Sequence, residues 1–465
     1  MSKAWNQLLK KTAIGTTAAA LLLSAALTGT EGGWNREAAA AAAVTADKQV
    51  AITYPAASAS VTLDKRLPLK KQLKLSDDVS VRYESGNNAV ARVNSSGVVI
   101  PVAPGTTNIR IYVISPGYSG GLTLPVTVKA GSASYKAVTA VKKVSVGGKA
   151  FSVQTVTIPK GMPVTAALAG RRVGALQQLQ EIAQSYRADA AINGTYFEAY
   201  GGVPDPYGTV ITDGIVEHIG NTGTSVGFKW DGSAVMDTLR VKVTGATDGS
   251  YKFPNNWYVY FVNRTPTQGI ASAVMFTPKR GSKVGFSYGK AVTVRKGIVT
   301  KTGSNQNADI PSDGYVLVFN GSEAKLADRF KVGTKVEYKV SYTNAAGQEI
   351  DWSDVHTALG AGPRLVKDGK LAVDPAKEGF SSPKILTDGG ARSGIAIKKD
   401  GTVILATVPG ATIKQWGNIM LSLGAYQAMN LDGGASSGLY AAGKIVTNPG
   451  RQISNSLLFG NKIKW

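Results

Sequence analysis

The sequence predicts an all-β N-terminal domain followed by a larger α+β domain, in which two main helices pack on curved, mostly antiparallel sheets. Three observations support this prediction. Short apolar runs at regular spacing fill the N-terminal part, hairpin-type Asp-Gly turns recur through the remainder, and only two segments repeat apolar residues every three or four positions. The 465 residues allow about two to four domains of ordinary size.

The extreme N-terminus has the features of an export signal. Lys3, Lys10 and Lys11 precede an uncharged apolar stretch from about Ala13 to Leu27, and small residues continue to a cleavage-type sequence that ends at Ala46. Residues 1–46 are therefore predicted to be a signal peptide and spacer. An uncleaved membrane helix is the alternative. No other apolar run approaches the ~20 residues that cross a bilayer, so we expect no transmembrane span after cleavage.

Residues 47–130 are predicted to form a β-sandwich, because short strands recur at 8–12-residue spacing with turn residues between them. The predicted strands are Val79–Tyr83, Ala89–Val93, Gly97–Val102, Thr107–Val113 and Leu122–Val128. The motifs YES (83–85), VARVN (90–94), GV (97–98) and GTT (105–107) resemble the bacterial immunoglobulin-like group 2 module. That resemblance implies a spacer or an adhesion unit for wall polymers or sugars. A small-residue linker, 131–134, follows.

Residues 135–465 contain the two predicted helices. The apolar face of the first comprises Val173, Leu176, Leu179, Ile182 and Tyr186. The apolar face of the second comprises Ile413, Trp416, Ile419, Met420 and Leu423, and Gly424 stands where a left-handed cap belongs. Residues 228–350 form an extra β-rich stretch inside this region.

The composition limits the chemistry that the chain can perform. It is 43% hydrophobic and 18% charged with 54 Gly, which excludes a disordered acidic chain or a coiled coil. The absence of Cys excludes disulfides and thiolate chemistry. Two histidines argue against a His-built zinc centre: we expect His356 to be a structural hydrogen-bonding residue and His218 to lie at the surface. The groups that remain available for catalysis or binding are carboxylates, amides, hydroxyls, arginines and the backbone.

The charge favours an extracellular polyanion as partner. The chain has 52 Lys+Arg against 30 Asp+Glu, a formal net charge of +22. A secreted protein of this charge would be held at an anionic cell wall by salt-sensitive attraction that does not depend on sequence. The lysines are scattered and lack an aromatic-basic groove pattern, so we expect no nucleic-acid binding.

Both predicted helices lead into a short apolar run that stops at polar residues and glycines. The first run ends at Asn193 and continues to Glu198, and the second ends at Asn430 and continues into 432–438. Each run is predicted to be a buried strand that presents polar groups at a sheet end, where ligand sites concentrate. The alternative for the second segment is a hairpin turn with a solvated Asp432.

The segment DGGASSG (432–438) suits a phosphate. Gly433 and Gly434 allow a positive φ and a close approach of the backbone, while successive amides with the hydroxyls of Ser436 and Ser437 would form a concave anion site. Arg392 opens a predicted strand, where its guanidinium would hold phosphate in a bidentate manner. Arg451 is a similar case, and a surface arginine remains the alternative for both.

Taken in order, several motifs resemble the phosphodiester glycosidase family. They are AINGTYF (191–197), LGAGPRLVKDG (359–369), RSGIA (392–396), MNLDGGASS (429–437) and RQISNS (451–456). The resemblance implies hydrolysis of a sugar-1-phosphodiester at the anomeric carbon. This chain has Ala435 and Thr195 where the family commonly has glycine, and a methyl group at Ala435 requires a negative φ there.

Asp432, which matches the family motif, is predicted to be the catalytic nucleophile or base. Glu198 is the candidate second carboxylate because it follows the first polar strand end. The predicted substrate-binding residues are Asn193, Arg392, Asn430, Gly433, Gly434, Ser436, Ser437 and Arg451. No cofactor or metal is expected; Ca²⁺ remains open, although no EF-hand-like spacing is present. Two alternatives to an enzyme remain, namely a non-catalytic binder of wall sugar phosphates and a structural spacer.

Overall fold

The computed structural model describes residues 47–77, 79–115, 117–131 and 134–464. The predicted signal peptide and its cleavage site, within 1–46, lie outside the described residues. Within the described ranges, no helix has the length and apolar character to cross a bilayer.

The N-terminal part is built from short strands, as predicted. Its strands are β1 Lys48–Gln49, β2 Ile52–Thr53, β3 Ala59–Thr62, β4 Leu67–Pro68, β5 Lys74–Leu75, β6 Val81–Ser85, β7 Ala91–Val93, β8 Val98–Pro101, β9 Gly105–Val113, β10 Tyr118–Ser119 and β11 Gly121–Lys129. Strands β3-β11-β9-β6 form one sheet and β4-β8-β7 another. Alternate residues such as Ile109, Ile111 and Val99 fill one shared apolar core. The predicted β-rich character is therefore confirmed.

The next region begins with strands that belong to three different sheets. They are β12 Val138–Val146, β13 Lys149–Ile158, β14 Val164–Leu168, β15 Ala190–Asn193, β16 Val210–Thr212, β17 Ile215–His218, β18 Ser225–Lys229 and β19 Ala234–Asp237.

The following strands form two sheets of their own, β21-β20-β27 and β22-β23-β26-β24-β25. They are β20 Arg240–Thr247, β21 Asn256–Val259, β22 Phe261–Val262, β23 Ser272–Phe276, β24 Lys290–Arg295, β25 Ile298–Ser304, β26 Gly314–Asn320 and β27 Val336–Thr343. Trp257, Phe319 and Phe330 lie in the apolar core that these sheets share. We call residues 240–343 the insert; it corresponds to the β-rich stretch expected within 228–350.

The chain then returns to the sheets that precede the insert. The last strands are β28 Val355–Gly360, β29 Arg364–Lys367, β30 Lys370–Leu371, β31 Gly390–Ile397, β32 Val403–Ala411, β33 Gln427–Asn430, β34 Leu439–Ala441, β35 Lys444–Thr447 and β36 Asn455–Phe459. The sheet orders are β12-β13-β32-β31-β33-β29-β30, β14-β36-β15-β34-β35 and β17-β16-β28-β18-β19. All three contribute to one apolar core, which includes Ile395, Leu457 and Leu359.

The helices are few: α1 Leu179–Ser185, α2 Pro383–Leu386 and α3 Ile413–Ser422. The protein is therefore mostly β, with mostly antiparallel sheets, and helices contribute less than the predicted α+β class implies. Helix α3 matches its prediction, since Thr412 and Gln415 form a capping box and Gly424 ends the helix at φ +86°.

Helix α1 is shorter than predicted. Gly174 has φ +82° and Gln177 forms a β-bridge with Ile453, so the chain upstream is a turn and an extended segment. The helix begins only after Gln178, which forms a capping box with Glu181. The apolar spacing from Val173 thus reflects burial of a loop residue, not a further helical turn.

The two histidines have different outcomes. His356 is buried and its Nδ1 lies 2.8 Å from the Thr357 hydroxyl, which confirms a structural hydrogen-bonding role. The prediction that His218 lies at the surface is wrong. Its side chain is fully buried, Nδ1 contacts the Gly208 carbonyl at 2.9 Å, and burial lowers the pKa of His218 to about 4.

A buried arginine joins the N-terminal β region to the rest of the chain, and the described residues form one compact unit. Arg66 forms an ion pair with Asp213 and donates to the Val164 carbonyl at 3.1 Å. Its guanidinium also lies 5.5 Å from the ring centre of Trp230. Asp213 and Gly214 form a turn with φ of +52° and +76°, which projects toward Arg66.

Replacing Arg66 with Ala is expected to lower the free energy of unfolding by ~3–5 kcal/mol, because Asp213 would remain buried without its counter-charge. The exposed pair of Lys71 and Asp354 provides a control: Lys71→Ala should cost less than ~1 kcal/mol. Denaturant unfolding of the two variants measures both values. Equal losses would contradict a structural role for the buried pair.

Candidate functional site

Strands β15 and β33 belong to different sheets, yet their ends lie side by side. The Asn193 amide nitrogen donates to the Asp432 carbonyl at 2.7 Å, and the Asp432 backbone amide donates to the Gly194 carbonyl at 3.0 Å. The Asn193 side-chain oxygen accepts from the Gly438 amide at 2.9 Å. Asn193 is the polar residue that ends β15. From this position its side chain holds both ends of the 432–438 segment.

Arg392 lies beside Asp432. Strands β31 and β33 are antiparallel, and the Leu431 amide donates to the Ser393 carbonyl at 2.9 Å. The next residue outward on each chain is Asp432 on one and Arg392 on the other. The sheet register thus places the backbones of Asp432 and Arg392 next to each other. The charges of both side chains act on the Tyr196 hydroxyl.

The Arg392 side chain is buried and held from behind. Its Nε donates to the Ala411 carbonyl at 2.9 Å, and Nη2 donates to the Asp388 carbonyl at 2.6 Å. These bonds use two of the five guanidinium N–H groups, so three remain for a ligand. Burial lowers the pKa of Arg392 from its ordinary value, against the opposing effects of Tyr196 and Asp388.

The Asp432 carboxyl group titrates close to neutrality. Burial raises the pKa of Asp432 to about 7, against the opposing effects of the Ser436 hydroxyl, the Gly433 amide and the charge of Arg451. A carboxyl group with this pKa exists in both protonation states at neutral pH and can take up and release a proton.

Tyr196 lies at the centre of the site, although the sequence motifs gave it no role. Its hydroxyl donates to the Gly362 carbonyl at 2.9 Å and accepts from the Asn430 amide nitrogen at 2.8 Å. Burial raises the pKa of Tyr196, and the charges of Asp432 and Arg392 both act on its hydroxyl. The only sequence signal was its position just after the polar end of β15.

The glycine-rich segment forms a tight turn, Gly434–Ser436, with φ +60° at Gly434. Ala435 is not among the positive-φ residues, so its methyl group is accommodated. The amides of Ser436 and Ser437 donate to the Gly433 and Gly434 carbonyls, so these two amides close the turn and do not face a ligand. Within the described chain, the amides of Gly434 and Ala435 have no hydrogen-bond partner, and both residues are exposed.

The serine side chains differ in their environments. The Ser436 hydroxyl bonds the Asp432 carboxyl group, whereas the buried Ser437 hydroxyl has no partner in the described part of the chain. Arg451 lies at the same side of the site, because its charge acts on Asp432 and its guanidinium lies 5.3 Å from the ring centre of Tyr200.

Glu198 bonds two tyrosines that follow it in the chain. It accepts from the Tyr200 amide at 3.0 Å and from the Tyr207 hydroxyl at 2.8 Å, and these bonds lower its pKa. Among the described residues no hydrogen bond joins Glu198 to Asp432. Its role as second carboxylate therefore stays a prediction.

Glu378 is a carboxylate that the sequence motifs did not single out. It accepts from the Arg364 amide at 2.6 Å and from the Thr224 hydroxyl at 2.8 Å, and burial raises its pKa. Its charge also acts on Tyr196. Glu378 comes from an irregular segment without periodicity, so only the folded chain reveals its position.

A metal site is not evident in the geometry. Within 47–77, 79–115, 117–131 and 134–464, no three or more His, Asp or Glu side chains are grouped so that they could hold an ion. The groups that converge here are a carboxyl group, a guanidinium, a phenol, an amide and a turn with two unpaired N–H groups. This set can bind an anion next to a group that exchanges protons.

The described chain is mostly β, and part of it matches a family of glycosidases. Residues 288–460 match the family model of the phosphodiester glycosidases, which confirms the resemblance drawn from the sequence. Arg392, Asp432 and the glycine-rich turn lie inside the matched range, whereas Asn193 and Tyr196 lie outside it.

Two solved structures share the fold at low sequence identity. A hypothetical protein from Synechocystis has a TM-score of 0.61 at 22% identity, covering 83% of this chain and 73% of that one. A putative exported protein from Burkholderia pseudomallei has a TM-score of 0.56 at 18% identity, covering 82% of this chain and 96% of that one. The catalytic domain of zebrafish N-acetylglucosamine-1-phosphodiester α-N-acetylglucosaminidase, auto-inhibited by its pro-peptide, has a TM-score of 0.40 at 12% identity, covering 71% and 85%. Comparison with curated proteins found no match.

Proposed function

We propose that the protein hydrolyses a sugar-1-phosphodiester at the anomeric carbon and releases a free sugar and a phosphomonoester. The observation that carries this proposal is that Asp432, whose pKa burial raises to about 7, and the buried Arg392 follow the bonded pair of Leu431 and Ser393 and both act on the Tyr196 hydroxyl. The family match over 288–460 supports the same reaction class.

In the proposed reaction, the bond between the anomeric carbon and the phosphate oxygen breaks, and its electron pair leaves with the phosphate. A phosphomonoester is a good leaving group, so strong general-acid assistance is unnecessary. The Arg392 guanidinium and the unpaired amides of Gly434 and Ala435 stabilise its charge. Ionised Asp432 stabilises the developing positive charge on the sugar. As nucleophile it would form a glycosyl ester that water then hydrolyses to the free sugar; as base it would take the proton from the water that attacks the anomeric carbon.

The side-chain amides of Asn193 and Asn430 have different roles in this proposal. Asn193 bonds both ends of the glycine-rich segment, so we assign it to positioning Asp432 and the turn. Asn430 donates to Tyr196, and its buried side-chain oxygen has no partner among the described residues. That oxygen and the Tyr196 hydroxyl are the groups we assign to the sugar hydroxyls.

An assay with p-nitrophenyl or UDP-linked sugar-1-phosphodiesters tests the proposal directly. Release of reducing sugar by the wild-type protein, and its loss in Asp432→Asn, are the expected results. Binding of these compounds without release of sugar would support instead the alternative of a non-catalytic binder of wall sugar phosphates. Neither binding nor release would favour the spacer.

The proposal also places the enzyme outside the cell at an anionic wall. The charge of +22 and the export-type N-terminus support secretion and wall retention, and we assign the N-terminal β region to an immunoglobulin-like sandwich that assists it. Envelope or exopolysaccharide glycans are the proposed substrates. Retention on isolated walls that falls with added salt tests the charge argument.

The pH dependence should follow the Asp432 carboxyl group. If the ionised form acts, kcat/KM rises with pH, reaches half its maximum at about pH 7 and levels off about one pH unit higher, because burial raises the pKa of Asp432 to about 7. Initial rates at low substrate concentration across this range measure the profile. A decline of kcat/KM as the pH rises through 7 would show that the protonated carboxyl group acts, contrary to the proposal.

A further inference from the structure

A second open cleft lies on the insert, with a volume of about 670 Å³. Its lining includes three cations, Arg240, Lys242 and Arg264, and two aromatic rings, Tyr260 and Phe261. None of its lining residues is acidic. The Arg264 guanidinium lies 4.5 Å from the ring centre of Phe261.

The three cations have no ion-pair partner in the described part of the chain. Two carboxylates outside the lining hold other hydrogen bonds. Glu323 bonds the hydroxyls of Tyr258 and Tyr260, and Glu378 bonds the Arg364 amide. The Glu378 charge still acts on Arg240, but no carboxylate lines the cleft, and an excess of positive charge there favours an anionic ligand.

Part of this charge forms a row along β20. Burial alternates on this strand, with Val241 and Val243 inward and Arg240 and Lys242 outward. Residues two apart on a strand are about 6–7 Å from each other. Lys339 of β27 pairs with Thr244 on the same face, and its Nζ lies 4.9 Å from the ring centre of Tyr251. A linear ligand with repeated negative charges matches this arrangement.

The cleft adjoins the candidate active site. Arg240 donates to the Gly223 carbonyl at 3.4 Å, and a Cβ atom at Gly223 would lie 3.0 Å from the Phe380 ring. The Phe380 ring centre is in turn 5.9 Å from that of Tyr196. Arg240 at the cleft is thus connected to Tyr196 of the candidate site through Gly223 and Phe380.

We propose that this cleft binds a phosphate-bearing glycan chain that extends from the reacting phosphodiester. Arg and Lys side chains bind phosphates, and exposed aromatic rings pack against sugars. Binding by the cleft does not depend on hydrolysis; its role as an extension of the active site rests on the proposed function.

The test compares the double variant Lys242→Gln/Arg264→Gln with a control, Lys142→Gln/Lys143→Gln, in which two exposed cations of β12 are removed. The probe is poly(glycerol phosphate), and calorimetry at several salt concentrations measures its affinity. We expect the cleft variant to bind at least ~10-fold more weakly, with a shallower dependence of log Kd on log salt, and the control to lose less than ~2-fold. Equal losses in both variants would overturn the proposal.

Two further measurements make the result specific. Polygalacturonate, which carries carboxylates in place of phosphates, should bind the wild type more weakly than poly(glycerol phosphate); equal affinity would overturn selectivity for phosphate. Hydrolysis of a short sugar-1-phosphodiester should be unchanged in the cleft variant. If the wild type hydrolyses no such substrate but the affinity loss is confined to the cleft variant, the proposed function fails and the cleft stands. If the wild type does hydrolyse the substrate but the affinity loss is not confined to the cleft variant, only the proposal for the cleft is refuted.

Discussion

Replacing Asp432 with Asn is expected to lower kcat for a sugar-1-phosphodiester by ~10²–10⁴-fold, with little change in substrate binding. The variant keeps the size of the side chain and the backbone contacts that fix the segment, namely the bonds of Asp432 to Gly194 and Asn193. It removes the ionised carboxylate that the mechanism requires. Steady-state kinetics with the substrate that the wild type cleaves fastest give the result.

The matched control for this variant is Asp400→Asn. Asp400 is an exposed turn residue that accepts from the Thr402 amide at 2.8 Å, so its replacement should leave kcat within about twofold. Near-normal turnover by Asp432→Asn would refute the assignment of this carboxylate.

The same substitution should make the folded protein more resistant to alkaline conditions. Because burial raises the pKa of Asp432 from 3.8 to about 7, its contribution to stability is fully present below the unfolded-state pKa and is lost as the pH rises through 7. Asn does not titrate. The difference in Tm between the variant and the wild type, measured by thermal unfolding, should therefore be more favourable to the variant at about pH 8 than at about pH 4. A change in the opposite direction would contradict burial of the carboxyl group.

Replacing Arg392 with Lys is expected to raise KM by ~10–100-fold, with a smaller effect on kcat. Lys keeps the positive charge but cannot reproduce a fork that bonds the Ala411 and Asp388 carbonyls while offering further N–H groups to phosphate. Charge-assisted hydrogen bonds contribute ~1.5–3 kcal/mol, and ~1.4 kcal/mol corresponds to tenfold in affinity.

The exposed Arg110 provides the corresponding control, since Arg110→Lys should leave both kinetic constants unchanged. Circular dichroism of Arg392→Lys checks that the fold survives the loss of the buried bonds. A folded Arg392→Lys enzyme with an unchanged KM would exclude Arg392 from the phosphate site.

Local pattern was sufficient to predict the parts of the site that lie on strands. The apolar runs before Asn193 and Asn430 stop at polar residues, and both proved to be buried strands with adjoining ends. Helix α3 was predictable for the same reason, because its caps and its apolar spacing agree. The requirement for a negative φ at Ala435 also followed from steric principles alone.

Contacts between distant segments were not predictable. Tyr196 bonds groups at positions 362 and 430, and Glu378 acts through Thr224 and Arg364, so no local spacing reports either residue. Asn193 looked like a sugar ligand because it ends a strand, yet both atoms of its amide bond the glycine-rich segment. The start of α1 was misplaced because the bridge of Gln177 to Ile453 overrides apolar periodicity.

The position of bond cleavage tests the central claim most directly. Hydrolysis in water enriched in oxygen-18, followed by mass spectrometry of the released phosphomonoester, reports whether water attacks the anomeric carbon or the phosphorus. The geometry around Asp432 and Arg392 predicts a phosphomonoester without the label. A labelled phosphomonoester would mean cleavage of the phosphorus–oxygen bond and would contradict a glycosidase.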